Sequence, residues 1–203
     1  VPKQDKYAKL KEGLDKTTGR INDDLAYRHW DNWVDAIPQP FIASFDGEKI
    51  GEGKNILENT EFESPMRPWG GMEQIAWSPD SKSIAYTCRK KVGKDYAFST
   101  NSDIYLYNIE KQTTENLSEG MMGYDQNPVF SNNGKMIAWE SMERDGYEAD
   151  KLRLMVHNFE SADIAQMHFH CRKCYRFKRV QNCNAGVGIG SRIDHNAVCL
   201  AVS

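Results

Sequence analysis

The sequence predicts an all-β fold, a partial β-propeller of four-stranded antiparallel blades with a short helical insertion. Two observations predict this fold. The first is an internal repeat, because residues 75–88 (IAWSPDSKSIAYTC) return as residues 128–141 (PVFSNNGKMIAWES). The second is an alternating strand pattern in residues 103–110 (DIYLYNIE) that returns in residues 153–160 (RLMVHNFE). A unit of about 50 residues that holds four short strands is typical of one propeller blade.

Each copy of the repeat has the same order of elements. An apolar strand ends in an aromatic residue plus Ser, and a tight polar turn leads into a second and a third strand. Trp77 and Phe130 occupy equivalent positions, one residue before that Ser. We expect both rings to point between neighbouring sheets, because a single blade cannot bury both of its faces. A meandering antiparallel sandwich is the alternative architecture.

The chain before the repeat divides into two parts. Residues 3–20 are polar and rich in Lys, which indicates a solvated loop. Apolar residues then recur at helical spacing until two prolines end the pattern, so a helix is predicted over residues 23–36. From Phe41 onward the period changes to two, and an Asp46–Gly47 turn is predicted to join two short strands.

The predicted organisation therefore has three parts. Residues 1–37 are a loop plus the helical insertion, residues 38–160 are a propeller segment of about two and a half blades, and residues 161–203 are an unrelated or frame-shifted tail. The composition changes at the second boundary. Residues 1–160 hold 20 Lys/Arg and 27 Asp/Glu, whereas the tail holds 6 and 2, together with four of the five Cys.

Composition also limits the classes of function. Hydrophobic residues make up 39% and aromatic residues 11% of the chain, which is enough to form a core and excludes wholesale disorder. No run approaches the roughly 18 consecutive apolar residues of a transmembrane helix, so no membrane span is expected. The formal net charge of −3 gives no reason to expect a nucleic-acid partner.

The tail allows two further interpretations. Cys171, Cys174, His195 and Cys199 carry the thiolate and imidazole ligands that tetrahedral zinc prefers, so zinc is the one cofactor that the sequence suggests. Residues 171–179 (CRKCYRFKR) interleave basic and aromatic side chains, as in a nucleic-acid patch. A solvated run of charge explains the second pattern equally well, and no nucleic-acid partner is predicted from it.

The repeated pattern [W/F]-S-x-[D/N]-[S/G]-K-x-I-A-[Y/W] resembles the blades of TolB-type propellers. Such blades also form the amino-terminal domain of the prolyl oligopeptidase family of serine peptidases. Residues 25–35 (LAYRHWDNWVD) resemble a helical excursion that bacterial dipeptidyl peptidases of this family insert between early blades. Residues 66–90 resemble the blade after it, and residues 141–156 resemble a blade with an ERDGYEADK loop. The resemblance covers roughly residues 15–160.

This resemblance implies a periplasmic or secreted protein whose full-length form acts on peptides. The catalytic Ser of the family lies in a separate α/β-hydrolase domain, within a G-x-S-x-G motif that does not occur in this chain. No catalytic residue is therefore assigned, and the chain by itself is expected to be inactive. Its implied role is to gate and help bind peptide amino termini for that missing domain, alongside the remaining blades.

A dipeptidyl peptidase must bind the α-ammonium group of its substrate, and a carboxylate on a propeller loop is a suitable partner. Glu143, Glu148 and Asp150 are the candidates, with Glu148 the preferred anchor. The alternative is a loop that Arg144 and Lys151 stabilise without any ligand. For the whole chain, the second hypothesis is a free-standing TolB-like binding module with a tail held by zinc.

Overall fold

The computed structural model shows one small hairpin and three larger antiparallel sheets. It describes residues 16–19, 21–22, 25, 27–67, 70–167 and, for the backbone alone, 197–202. Among these residues the only α-helix is α1 (Gly93–Phe98), which confirms the predicted all-β class. No helix in the described part of the chain is long and apolar enough to cross a lipid bilayer.

The predicted helix over residues 23–36 is wrong, because its middle forms a β-hairpin. Strand β1 (Arg28–His29) pairs antiparallel with β2 (Asn32–Trp33). The turn between them places Trp30 at a φ of 52°, in the left-handed region, which a right-handed helix does not contain. Trp30 is also 70% exposed, so the helical spacing of apolar residues marks no buried face here. Aromatic residues favour strands, and Asp and Asn favour the turn.

The first sheet is built around β3 (Gln39–Ser44), which pairs with the short β4 (Lys54–Asn55). The predicted Asp46–Gly47 turn follows β3. The Asp46 Oδ1 atom accepts hydrogen bonds from two following backbone amides at 2.9 and 2.7 Å, and Gly47 has a φ of 100° that suits glycine. The predicted strand around Phe41 and the turn that follows it are therefore confirmed.

The second sheet is a four-stranded meander in which each strand pairs with the next along the chain. A 3-10 helix (Met72–Gln74) precedes it, and α1 lies in the connection between its second and third strands. The strands are β5 (Ile75–Trp77), β6 (Ser83–Cys88), β7 (Asp103–Asn108) and β8 (Thr113–Asn116).

The third sheet repeats this meander with the second copy of the motif. Its strands are β9 (Asp125–Phe130), β10 (Met136–Ser141), β11 (Arg153–Asn158) and β12 (Ile164–Met167). Strand β12 pairs with β11, although it lies beyond the change in composition near residue 160. The predicted boundary at residue 160 is therefore wrong, because this sheet continues to Met167.

The last strand, β13 (Ala197–Val202), comes from the tail and pairs with β3 along its whole length. The first sheet thus has the order β13-β3-β4. The predicted separation of the tail from the rest of the chain needs correction, because the end of the tail completes a sheet. A frame-shifted origin of residues 161–203 stays a prediction.

The two copies of the motif form the same turn. In the first copy the Ser78 hydroxyl donates to Asp80 at 2.6 Å, and Asp80 also accepts a backbone amide at 3.1 Å. In the second copy the Ser131 hydroxyl donates to Asn133 at 2.8 Å, and Asn133 accepts the equivalent amide at 3.1 Å. The repeat therefore encodes a specific hydrogen-bonded turn between the first two strands of each meander.

Two apolar cores lie on opposite faces of the second sheet, because successive side chains of a strand alternate between faces. Phe130 is buried in the core shared with the third sheet, and Trp77 packs against the core shared with the first sheet, as predicted. Stacked four-stranded sheets with shared cores are neighbouring propeller blades. The core with the first sheet contains Leu57, Ile75, Ile84, Tyr86, Cys88, Tyr105 and Tyr107. The core with the third sheet contains Ala85, Ile104, Leu117, Phe130, Ile137, Trp139 and Met155.

Candidate functional site

The carboxylates that the sequence singles out lie in residues 143–150, the connection from β10 to β11, which we call the acidic loop. Glu143 and Glu148 are exposed, and Asp150 is half-buried. No hydrogen bond or ion pair to a described residue engages the Glu148 carboxylate. The same holds for the exposed Glu143 carboxylate, so Glu143 and Glu148 both carry an uncommitted charge on the described surface.

Asp150 is paired with Arg144 within the acidic loop. The Arg144 Nε atom lies 3.1 Å from each oxygen of Asp150, and Nη2 also donates to Oδ1. Hydrogen bonding from Arg144 holds the pKa of Asp150 below its ordinary value. The same guanidinium lies 4.0 Å from the ring centroid of Tyr147. Arg144 therefore stabilises this part of the acidic loop from within, as the alternative of a loop without any ligand predicts.

Asp145, which the sequence analysis did not select, makes the contacts that join the acidic loop to the second sheet. Its carboxylate accepts hydrogen bonds from Ser99, Thr100 and Asn101, all in the connection between α1 and β7. Burial raises the pKa of Asp145, but these hydrogen bonds outweigh burial and lower it. The sequence signal was the Asp145–Gly146 dipeptide, which predicts a turn but not a partner more than 40 residues away.

A buried polar cluster lies at the carboxyl end of β6 and in the segment before β5. Glu63 is only 4% exposed, and its Oε1 atom accepts hydrogen bonds from the Arg67 amide at 2.9 Å and from Arg67 Nε at 2.6 Å. The Tyr96 hydroxyl donates to the other oxygen of Glu63 at 2.6 Å. We call Glu63, Arg67, Tyr96 and Arg89 the Glu63 cluster. Its buried carboxylate is partnered by Arg67 and Tyr96, as a buried charge requires.

Arg89 connects the Glu63 cluster to the segment that holds Asp145. Its guanidinium lies 4.7 Å from the Tyr96 ring centroid, and its Nη2 atom donates to the Thr100 carbonyl at 3.5 Å. Residue 89 also forms an isolated β-bridge with Glu63. The Glu63 cluster and the connection before β7 therefore form one continuous polar region at this end of the second sheet.

Thr100 connects the acidic loop to this polar region. Its backbone amide donates to Asp145 of the acidic loop at 2.7 Å, and its carbonyl accepts a hydrogen bond from Arg89 at 3.5 Å. The acidic loop, which carries Glu148, therefore lies at the same end of the stacked sheets as the Glu63 cluster.

The acidic loop carries the free negative charge of this end of the molecule, because the Glu63 carboxylate is already paired with Arg67. A primary ammonium group can donate hydrogen bonds to an exposed carboxylate such as that of Glu148.

A second polar group is buried between the second and third sheets. Asp125, at the start of β9, has no exposed surface, and neither of its carboxylate oxygens has a hydrogen-bond partner within the described residues. Burial raises the pKa of Asp125 to about 6, and the charge of Asp103 adds to this effect. The nearby Ser118 hydroxyl donates to Asp103, and the Ser141 hydroxyl donates to a backbone carbonyl.

The predicted zinc ligands are not placed by the structure. Cys171, Cys174 and His195 lie outside the described residues, and Cys199 lies in β13, for which only the backbone is described. Within the described ranges, no group of three or more His, Cys, Asp or Glu side chains could hold a metal ion. The zinc hypothesis for the tail therefore stays a prediction.

The fold and the acidic loop together define a segment of a β-propeller with an exposed acidic loop. No family model matches the chain. The chain is 59% identical over 152 residues to dipeptidyl-peptidase 5 of Porphyromonas gingivalis, and this match covers 75% of the chain and 22% of the relative. It is 53% identical over 143 residues to dipeptidyl-peptidase 5 of Porphyromonas endodontalis, covering 70% and 21%.

More distant relatives carry the same name. Dipeptidyl-peptidase 5 of Aspergillus fumigatus is 30% identical over 168 residues, covering 71% of the chain and 22% of the relative. The chain is therefore homologous to a segment of dipeptidyl-peptidase 5, which confirms the resemblance to dipeptidyl peptidases of residues 25–35, 66–90 and 141–156. It spans about a fifth of the length of the curated relatives that it matches.

Among solved structures, the chain is similar to two TolB proteins at 17% identity and a TM-score of 0.39. TolB from Acinetobacter baumannii matches over 64% of this chain and 30% of its own. The TolB from Agrobacterium tumefaciens matches over 64% and 43%. The assignment of blades rests on the strand order, the shared cores and the repeat described above.

Proposed function

We propose that this chain is the propeller segment of a dipeptidyl peptidase, in which it gates and helps bind peptide amino termini for a separate α/β-hydrolase domain. The 59% identity to a dipeptidyl-peptidase 5 is the observation that carries the proposal. The uncommitted Glu148 on the acidic loop supplies the chemistry. The substrate class in this proposal is peptides with a free α-amino group.

In this proposal Glu148 accepts hydrogen bonds from the substrate ammonium group. A charged hydrogen bond of this kind contributes about 1.5–3 kcal/mol. Glu143 is exposed on the same loop and adds negative potential, while Asp150 acts through its pair with Arg144.

The exposed face of the third sheet supports further blades as partners. Some side chains of the second sheet pack against the third sheet. The equivalent side chains in the second copy of the repeat lie on the outer face of the third sheet, where they are half-exposed. Ala76, Ala85, Ile104 and Leu106 correspond to Val129, Ala138, Leu154 and Val156. The greater length of the relatives is consistent with further blades and a hydrolase domain in the full protein. A periplasmic or secreted location belongs to the same proposal.

The replacement Glu148→Gln tests the binding role, because it removes the charge and keeps the size of the side chain. NMR titration of the 203-residue chain would compare tetra-alanine amide with its N-acetylated form. We expect the wild type to prefer the free amine by about tenfold or more, since about 1.4 kcal/mol is a factor of ten. Glu148→Gln should abolish that preference.

Glu115→Gln is the matched control, because Glu115 is an exposed carboxylate on β8, outside the acidic loop. It should keep the preference of the wild type. Equal binding of the two peptides by the wild type, or an unchanged preference in Glu148→Gln, would show that Glu148 does not bind the ammonium group.

A further inference from the structure

We infer that Asp145 is a positioning residue that fixes Glu148 in place by fastening the acidic loop to the second sheet. The inference rests on the proposed role of Glu148 as the ammonium anchor. Glu148 lies three residues after Asp145 in the sequence. The fastening, which we call the Asp145 latch, consists of Asp145 and Gly146 with their partners Ser99, Thr100 and Asn101.

The latch is a dense set of charge-assisted hydrogen bonds. Asp145 Oδ2 accepts from the Ser99 hydroxyl at 2.7 Å. Asp145 Oδ1 accepts from the backbone amides of Thr100 and Asn101 at 2.7 and 3.1 Å, and from the Thr100 hydroxyl at 3.4 Å. Ionised acceptors form shorter and stronger hydrogen bonds than neutral ones. One side chain thus holds three consecutive residues of the connection that leads into β7 of the second sheet.

Two further contacts close the latch. The Gly146 amide donates to the Thr100 hydroxyl at 2.7 Å, so the backbone of the acidic loop is held as well as its side chain. The Lys91 ammonium donates to the Ser99 hydroxyl at 2.8 Å and adds a positive charge near Asp145. Gly146 adopts a φ of 80°, which lets the chain turn away directly after the latch.

The latch fixes the loop relative to the polar region that faces Glu148. The Arg144–Asp150 pair connects the acidic loop only to itself, so it cannot set the position of the loop against another sheet. The latch connects the loop to Thr100, whose carbonyl accepts a hydrogen bond from Arg89 of the Glu63 cluster. Conformational entropy opposes ordering of the loop backbone, so an unlatched loop would sample many positions for Glu148.

Hydrogen exchange tests the latch without any ligand. Asp145→Ala should speed exchange of the Thr100, Asn101 and Gly146 amides by about tenfold or more. The amides of β6 and β7 should keep their protection, which shows that the sheet is folded. Asp145→Asn should give a partial effect, because it retains one acceptor oxygen for the two amides.

Peptide binding tests the positioning role. Asp145→Ala should lower the preference for free-amine over N-acetylated tetra-alanine amide to the level of Glu148→Gln, and Asp145→Asn should lie between this level and the wild type. A role confined to stability would change the affinity for both peptides equally and leave the preference intact. Thr100→Val, which removes the acceptor for the Gly146 amide, provides a second variant outside the acidic loop.

Each pattern of results decides a different statement. Unchanged exchange in Asp145→Ala would overturn the latch itself. Faster exchange with an unchanged preference would overturn the positioning role and leave the proposed function of Glu148 intact. A wild type that shows no preference for the free amine would overturn the proposed function and the positioning role together, whereas the exchange data would still establish the latch.

Discussion

The Asp125 carboxyl is fully buried between two sheets, and neither oxygen has a partner at hydrogen-bonding geometry among the described residues, although the Ser141 and Ser118 hydroxyls lie near it. An ionised carboxylate is costly in such a place, so the folded chain favours the protonated form. Burial accordingly raises the pKa of Asp125 from 3.8 to about 6. The stability linked to this group is fully present below pH 3.8 and is lost as the pH rises through about 6.

The replacement Asp125→Asn should therefore stabilise the chain at pH 7.5 and have little effect at pH 4. The expected gain at the higher pH is about 1–3 kcal/mol, since each unit of pKa shift corresponds to about 1.4 kcal/mol. Urea denaturation at the two pH values measures the difference. Asp163→Asn, at an exposed position in the same sheet region, is the control and should show no such dependence on pH. Destabilisation of Asp125→Asn at pH 7.5 would mean that the folded chain uses the Asp125 charge.

At the residue scale, sequence reasoning identified an exposed carboxylate but missed its support. Glu148 belongs to a motif that is visible in the sequence, and its exposure follows from a charged loop between two strands. Asp145 lies in the same motif, yet its partners lie 44–46 residues earlier in the preceding repeat. A dipeptide such as Asp–Gly predicts local backbone geometry, whereas the partner of a buried carboxylate depends on how two sheets stack.

Among the elements, those with repeated patterns were predicted well and those without a repeat were not. Residues 75–88 and 128–141 are two copies of one pattern, so the strands and turns predicted for one copy are supported by the other. The hairpin at Arg28–Trp33 has no second copy in the chain. The spacing of its apolar residues fits a helix, but it arises equally when aromatic residues are exposed on a hairpin. Strand β12 (Ile164–Met167) was missed because it lies beyond the change in composition near residue 160. It pairs with β11 through backbone hydrogen bonds, and these do not depend on the charge of the side chains.

Phe130 provides a test of the shared core at the element scale. It is 7% exposed, packs between the second and third sheets and stacks on Phe159 with ring centroids 6.1 Å apart. Phe130→Ala should lower the free energy of unfolding by about 3–5 kcal/mol, because truncating a buried ring leaves a cavity. Denaturant unfolding followed by Trp fluorescence measures this change.

Lys82→Ala is the control for Phe130→Ala, because Lys82 is exposed in the turn between β5 and β6. It should change the free energy of unfolding by no more than about 0.5 kcal/mol. Equal and small effects of both substitutions would mean that the second and third sheets unfold independently. The assignment of neighbouring blades with a common core would then be wrong.

The whole molecule follows from stacking one repeated unit. Each sheet has two apolar faces, so the second sheet is covered on both sides by the first and third sheets. The period of the repeat made this stacking predictable, since a lone blade leaves apolar surface exposed. The role of the tail was not predictable in this way, because β13 pairs with β3 from a position more than 150 residues away. Sequence spacing carries no information on such a distant pairing.

The last prediction concerns activity of the whole chain. Peptide hydrolysis by a serine peptidase requires a nucleophile, a base and an oxyanion hole held in register. The G-x-S-x-G motif that would present the nucleophile does not occur in the 203 residues. We therefore expect no release of a chromogenic amine from dipeptide substrates, measured against full-length dipeptidyl-peptidase 5 of Porphyromonas gingivalis as the positive control. Turnover by the 203-residue chain that a serine-directed inhibitor abolishes would contradict the proposal, because it would show that the chain contains its own catalytic centre.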